Sequence, residues 1–307
     1  MSVYKCYDCN QVLCRDCSRK HDNTEKYSTH LMQLISDSFI LNFKFPLEDE
    51  IYRQRFIKDI KCLPDGEVVA AVYDLHISEL MVFSISGKRR HVIKLGNIPR
   101  KIDVIDKYTV SVLMENDNVA IVDIQQTHVQ YIRNSAMPNG LGTSFIYIEN
   151  ELYEGYEYGI VVFDMSGNFK RANTLSFKPY DMCYDVDSQH IYCIDRITSK
   201  LICIDRDGTT LFKFTNPNMT NLTDLTIDNE GNVLVLCKKE DDLTGYVIKV
   251  DFNGEKSEVV ISNINTSRFD NPRICYDHLT DSVVIVVCYT VYIYKKKLKC
   301  ELSFSEK

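Results

Sequence analysis

The sequence predicts a mostly β protein folded as a six-bladed β-propeller behind a small N-terminal module, and three observations carry that expectation. A strand–turn–strand pattern returns about every 40 residues from residue 57 onward. Two further strand-like segments precede each return, and a cluster of cysteines and histidines stands apart at the N-terminus. With 307 residues, 45% of them hydrophobic, the chain is long enough to bury one large core or two modest ones.

Residues 1–32 hold Cys6, Cys9, Cys14, Cys17, His21 and His30, spaced as CxxC, four residues, CxxC, three residues, His, eight residues, His. A CxxC turn lets two thiolates reach one tetrahedral ion, so two such pairs followed by two histidines predict bound Zn2+. Asp, Asn, Arg and Lys fill the gaps, which leaves too little apolar surface for a core, and zinc coordination supplies the missing folding energy. Spacing admits two ligand sets. One places all four thiolates on a single ion, across a tight four-residue gap; the other mixes cysteines with histidines.

Residues 33–56 form a short linker. "FILNFKF" at 39–45 reads as β, with Pro46 behind it, and either adds a strand to the last blade or covers its edge. A coiled coil needs three or four unbroken heptads, which the 26 residues from Leu31 to Phe56 do not supply. A monomer is expected.

Residues 57–307 carry the repeats. The copies are "MVFSISGKRRHVI" from Met81, "AIVDIQQTHVQYI" from Ala120, "IVVFDMSGNFKRA" from Ile160, "LICIDRDGTTLFKF" from Leu201 and "VIKVDFNGEKSEVV" from Val247, with a degenerate sixth, "VYIYKKKLKCELSF", from Val291. Each reads as a hairpin. Their markers Ser84, Asp123, Asp164, Asp205, Asp251 and Tyr294 lie 39, 41, 41, 46 and 43 residues apart. With two earlier strands per copy, each unit is a four-stranded antiparallel sheet that buries both faces only against its neighbours. A sandwich predicts no such period, and a β-helix predicts a much shorter one.

The repeats lack tryptophan altogether and do not look like WD repeats. Segments such as "LTDLTIDNEGNVLVLCKKEDDLTGYVIKVDFNG" (222–254) and "IKCLPDGEVVAA" from Ile60 more closely resemble NHL repeats. The N-terminal cluster resembles the later portion of a B-box zinc finger, in which eight ligands bind two ions in cross-braced order. That resemblance implies one complete site from Cys6, Cys9, His21 and His30, and an incomplete second site keeping only Cys14 and Cys17. The residues before Cys6, "MSVYK", hold no Cys or His, so the expectation is a chain that begins inside a B-box. Together the two parts resemble the tripartite-motif proteins of the NHL subclass. The resemblance implies a link to ubiquitination, but the RING finger and the coiled coil of that layout are absent.

Composition narrows the function classes. Residues 1–30 hold five basic and four acidic residues and the remainder 31 and 39, so the body is acidic and repels polyphosphate on average. No run of about 18 apolar residues exists to span a bilayer, and the start lacks a signal-peptide layout, so a cytoplasmic address without membrane contact is expected. Cys62, Cys183, Cys193, Cys203, Cys237, Cys275, Cys288 and Cys300 lie in apolar β segments and read as reduced buried thiols. The sequons at Asn218, Asn221 and Asn265 read as chance. His76 and His91 have no second ligand at metal spacing, and no GxSxG, P-loop, HExxH or Rossmann pattern occurs. Tyr147, Tyr153, Tyr156 and Tyr158 read mainly as core and cross-strand residues, with a recognition patch as the alternative. Among basic stretches, "GKRRH" (87–91) and "YKKKLK" (294–299) fall on hairpins, while Arg100 and Lys101 sit where a propeller's ligand face is expected. The leading expectation is a non-catalytic, zinc-binding interaction scaffold that captures a protein or peptide on the propeller loop face. The alternatives are a fragment or subunit of a RING-type E3 ubiquitin ligase, and RNA binding by the propeller.

Overall fold

The computed structural model describes residues 3–6, 11–14, 32–34, 38–47, 56–74, 77–116, 118–132, 142–239, 243–266 and 271–297. Among them every regular element is a β-strand, and no helix is long and apolar enough to cross a membrane. β1 (Val3–Cys6), β2 (Gln11–Cys14) and β3 (Met32–Leu34) form a three-stranded sheet in the order β2-β1-β3. β4 (Phe39–Pro46) follows.

Five antiparallel blades then run in chain order. The first is β5 (Phe56–Cys62), β6 (Glu67–Tyr73), β7 (Ser78–Ser84) and β8 (Arg89–Lys94). The second is β9 (Pro99–Val104), β10 (Thr109–Met114), β11 (Val119–Asp123) and β12 (His128–Ile132). β13 (Ser144–Ile148), β14 (Glu151–Tyr156), β15 (Gly159–Asp164) and β16 (Phe169–Thr174) form the third. β17 (Asp181–Asp185), β18 (His190–Asp195), β19 (Lys200–Ile204) and β20 (Thr210–Phe214) form the fourth. The fifth is β21 (Leu222–Ile227), β22 (Val233–Lys238), β23 (Thr244–Val250) and β24 (Ser257–Asn265). The sixth takes β25 (Arg273–Asp277), β26 (Ser282–Val287) and β27 (Thr290–Lys296) from the C-terminal end and β4 from the N-terminal end.

That last pairing corrects one expectation. The sixth copy reads as a hairpin from Val291, yet the partner of β27 is β4, in a register running from Thr290 opposite Pro46 to Lys296 opposite Phe39. Residues 298–307 lie outside the described residues. β4 therefore joins the two ends of the repeat region in one sheet.

The strands sort by burial as radial packing requires. The second strand of each blade is covered on both faces, so Val233–Cys237 is buried at every position, whereas the outermost β8 alternates exposed and covered residues. Alternation then feeds two seams from one strand. Leu234 and Leu236 pack toward the sixth blade, while Val233, Val235 and Cys237 pack toward the fourth. Six apolar clusters result, one per seam, including the cluster between the sixth and first blades that holds Val284, Val286 and Ile293 against Ile60, Val68 and Ala70.

Five of the six markers are turn residues, whereas Tyr294 lies within β27. Asp164 Oδ1 accepts from the Ser166 and Asn168 N–H groups at 2.8 and 2.9 Å, and the turn between them needs Gly167 at φ +83°. The Asp-x-x-Gly signature exists because an Asp side chain completes the turn and glycine tolerates its left-handed position.

Candidate functional site

The first strands of the six blades, β5, β9, β13, β17, β21 and β25, ring the axis, each packed beside the next. At the end where these strands run into their first turns, the axis opens into a funnel of about 510 Å³. Lys61, Asp103, Cys62, Cys183 and Cys275 lie deep in it, and Tyr147, Tyr184, Tyr276 and His278 stand around them. Two apolar residues at the mouth face solvent, Val186 at 75% and Leu279 at 65% exposure.

Beneath the funnel the axis is ionic. Lys101, only 6% exposed, places Nζ 2.7 Å from Asp181 Oδ2 and 3.7 Å from Asp59 Oδ1. Lys61 lies 3.6 Å from Asp103 Oδ1. Asp59 and Asp103, together with Asp224 of the fifth blade, also stitch blades together. Asp59 accepts from the Ile102 N–H at 2.8 Å, Asp103 from the Tyr147 N–H at 2.6 Å, and Asp224 from the Ile274 N–H at 2.9 Å. Each bond runs from one first strand to the backbone of the next, which fixes blade rotation about the axis.

Burial and charge set the protonation states here. Burial works to neutralise Lys61, but the surrounding Asp103, Asp59, Asp181 and Asp224 outweigh it and hold the side chain as an ammonium. Burial pushes Asp103 up, against the pull of Lys61 and the Tyr147 N–H. Burial also opposes charge on Asp181, yet Lys101 overcomes it and keeps that carboxylate ionised. Asp224, buried beside that negative charge, is pushed well up.

The turn carboxylates around the mouth are engaged in the turns. Asp185 accepts from the Ser188 hydroxyl at 2.6 Å, Asp228 from the Asn232 N–H at 2.9 Å, and Asp277 from the Leu279 N–H at 3.1 Å and from the Thr280 hydroxyl. His278 Nδ1 pairs with Asn229 Oδ1 at 2.8 Å, and burial lowers its basicity.

The residues singled out in the sequence fall unevenly on this geometry. Cys6 ends β1 and Cys14 ends β2, at opposite ends of their hairpin, with Cys6 opposite Gln11 and Cys14 opposite Val3. Cys9, Cys17, His21 and His30 lie outside the described residues, as do His76 and Cys300. No metal-holding group of His, Cys, Asp or Glu occurs among the described residues, a set that omits those four ligands. Lys101 does not present its charge on a ligand face, because the carboxylates of Asp181 and Asp59 take it up inside the axis. The tyrosine run divides. Tyr153 is fully buried and hydrogen-bonded to Glu151 and Arg171, Tyr156 packs at the seam between the second and third blades, Tyr158 is exposed, and only Tyr147 reaches the funnel. Of the cysteines read as buried, Cys183, Cys193, Cys203, Cys237 and Cys275 are, whereas Cys62 is half-buried and Cys288 exposed. Burial pushes the Cys203 and Cys237 thiols up to about 12.

The funnel floor was not singled out. Its signal was a pair of charged residues at alternate positions of the first two blades' inner strands, in "DIKC" (59–62) and "KIDV" (101–104), where an outer strand would expose the charge and an axial strand buries it.

No family model matches the sequence, and no curated protein matches it. Solved structures do share the fold. A structural genomics protein of unknown function from Bacteroides thetaiotaomicron VPI-5482 superposes with a TM-score of 0.63 at 12% identity, over 87% of this chain and 81% of that one. A streptogramin B lyase superposes with a TM-score of 0.62 at 10% identity, over 85% of this chain and all of that one. At this identity the likeness shows the six-bladed propeller fold alone.

Proposed function

We propose that the propeller is a non-catalytic interaction module that captures a protein or peptide segment at the funnel. The observation that carries this reading is an axial cavity of about 510 Å³ with a charged floor, tyrosine walls and the exposed apolar residues Val186 and Leu279 at its mouth. Concave sites of this size take a side chain or short segment, and solvent-facing apolar residues at the rim supply contact area. The floor is poorly suited to chemistry. Lys61, held as an ammonium by the surrounding aspartates, has no lone pair to act as base or nucleophile. Peptides selected by display against the whole chain test the reading. Binding measured by fluorescence polarisation is expected to fall at least tenfold with Leu279→Glu or Val186→Glu, and equal affinity for wild type and both variants would sink it.

For residues 1–32 the proposal is zinc held by Cys6, Cys9, His21 and His30, with Cys14 and Cys17 left as part of an incomplete second site. The donors suit a structural zinc ion. Register favours this division over one all-thiolate site. About 10 Å of strand separates the levels of Cys6 and Cys14 in the hairpin, whereas sulfur ligands on one tetrahedral ion lie about 4 Å apart. Met32, two residues after His30 in the sequence, pairs with Cys6. Native mass spectrometry is expected to show one zinc per chain, lost with His30→Ala and kept with Cys14→Ala. Loss with Cys14→Ala alone would reverse the assignment.

A cytoplasmic, monomeric protein remains part of the proposal. A role as part of a RING-type ubiquitin ligase rests on the family resemblance alone. RNA binding loses support from the burial of Lys101 and from the pairing of Arg90 with Glu67 at 3.3 Å and Lys296 with Glu230 at 2.5 Å.

A further inference from the structure

Two thiols meet at the funnel floor. Cys62 closes β5 in the first blade and Cys275 sits in β25 of the sixth, 213 positions apart in sequence, with their Sγ atoms 2.9 Å apart. Both are free thiols, and both line the funnel. Their environments differ. Cys62 is half-buried, while Cys275 is 2% exposed.

We propose that Cys62 and Cys275 form a redox-active pair that a small two-electron oxidant, a hydroperoxide, reaches through the funnel and converts to a disulfide. Cys62, the more exposed sulfur, attacks one peroxide oxygen as the thiolate. The O–O bond breaks, hydroxide leaves and takes a proton to become water, and Cys62 becomes a sulfenic acid, oxidised by two electrons. Cys275 then attacks the Cys62 sulfur; the S–S bond forms, the S–O bond breaks, and the departing oxygen takes the Cys275 thiol proton to leave as a second water. Two thiols and one hydrogen peroxide thus become one disulfide and two waters. A dithiol reductant returns the pair to two thiols by exchange and is itself oxidised to a disulfide. Burial, and the neighbouring Cys62, push the Cys275 thiol well up, which suits it to resolve a sulfenic acid already in contact rather than to attack peroxide first.

The position of the pair gives the bond its consequence. Between β5 and β27 the chain runs continuously from blade to blade, and β4 leads on to β5. The one joint of the ring held without chain continuity is the β4–β27 ladder within the sixth blade. A bond from Cys62 to Cys275 ties β25 directly to β5 and bypasses that ladder, so the oxidised propeller is a covalently closed circle. Closing so long a loop lowers the entropy of the unfolded chain.

The test uses the full chain, first reduced, then treated with hydrogen peroxide, alkylated and digested without reductant. Mass spectrometry is expected to find the Cys62 and Cys275 peptides joined and lighter by two hydrogens, with an unfolding temperature higher by about 5 °C or more that dithiothreitol abolishes. Cys275→Ser is expected to leave a dimedone-trapped sulfenic acid on Cys62, while Cys62→Ser leaves Cys275 as a thiol. Full alkylation of both residues in denaturant after oxidation, or cross-links confined to other cysteines such as Cys288, would overturn the proposal. The wild-type map decides this even where a variant fails to fold.

Discussion

Lys101 neutralises carboxylates from two other blades at a site water hardly reaches, so its charge matters more than its size. Lys101→Ala leaves Asp181 and Asp59 buried without their cation and is expected to cost about 3–5 kcal/mol in urea unfolding. Adding Asp181→Asn should recover part of that loss, and a single-variant cost under about 1 kcal/mol would show that the charges are solvated after all. Glu151 makes a second residue-scale case. Arg171, aided by Lys170 and Tyr153, holds its carboxylate down to about 2 from an ordinary 4.5. A depressed carboxylate stabilises the fold above its unfolded pKa, and that contribution is lost as pH falls from about 4.5 towards 2. Glu151→Gln should therefore lower the unfolding temperature at pH 7 and flatten its acid decline across that window; parallel wild-type and variant curves would refute the assignment. Lys101 was visible in the sequence but read as part of a ligand face, and Glu151 was not singled out. Charges alternating with apolar residues look like the wet face of a half-buried strand, and only closure of the ring turns that face toward the axis.

The hairpins of the first five blades were legible because each is local. An Asp or Ser marker and a nearby turn residue specify the return within a few positions, and both strands of the pair lie within one copy. The sixth was misread for the complementary reason. Its outer strand β4 lies some 250 positions from β27, and pairing at that distance leaves no turn signal; "FILNFKF" read as a strand that either joins the last blade or covers its edge, and the structure makes it the fourth strand of that blade. The ladder predicts a sharp effect. Leu41, 5% exposed, lies opposite Tyr294 in the middle of the pairing. Leu41→Pro removes a backbone donor and wedges a ring into the ladder, which an interior position does not tolerate. Amide hydrogen exchange should then speed up in β27 before it does in β15 of the third blade. Equal acceleration in both would mean that the ladder is not the weakest joint.

At the scale of the molecule, ring closure separates this fold from an open array of repeats. In an open array each unit leans only on its neighbours, and damage at one end leaves the far end folded. Here all six seams carry apolar clusters, including the seam between the last blade and the first, so no blade is terminal. The period near 40 residues made this architecture readable, because six sheets of that size with two sticky faces have no other way to cover both. What the period could not give is the contents of the axis, which depend on side chains from six distant segments meeting at one place. Leu236, fully buried at the seam between the fifth and sixth blades, offers the test. Leu236→Ala opens a cavity there and is expected to cost about 2–5 kcal/mol. If the ring unfolds as one unit, the slowest-exchanging amides of β10, across the ring in the second blade, lose protection by the same free energy as those of β22. Unchanged protection in β10 would show that blades open singly and that closure contributes little cooperativity.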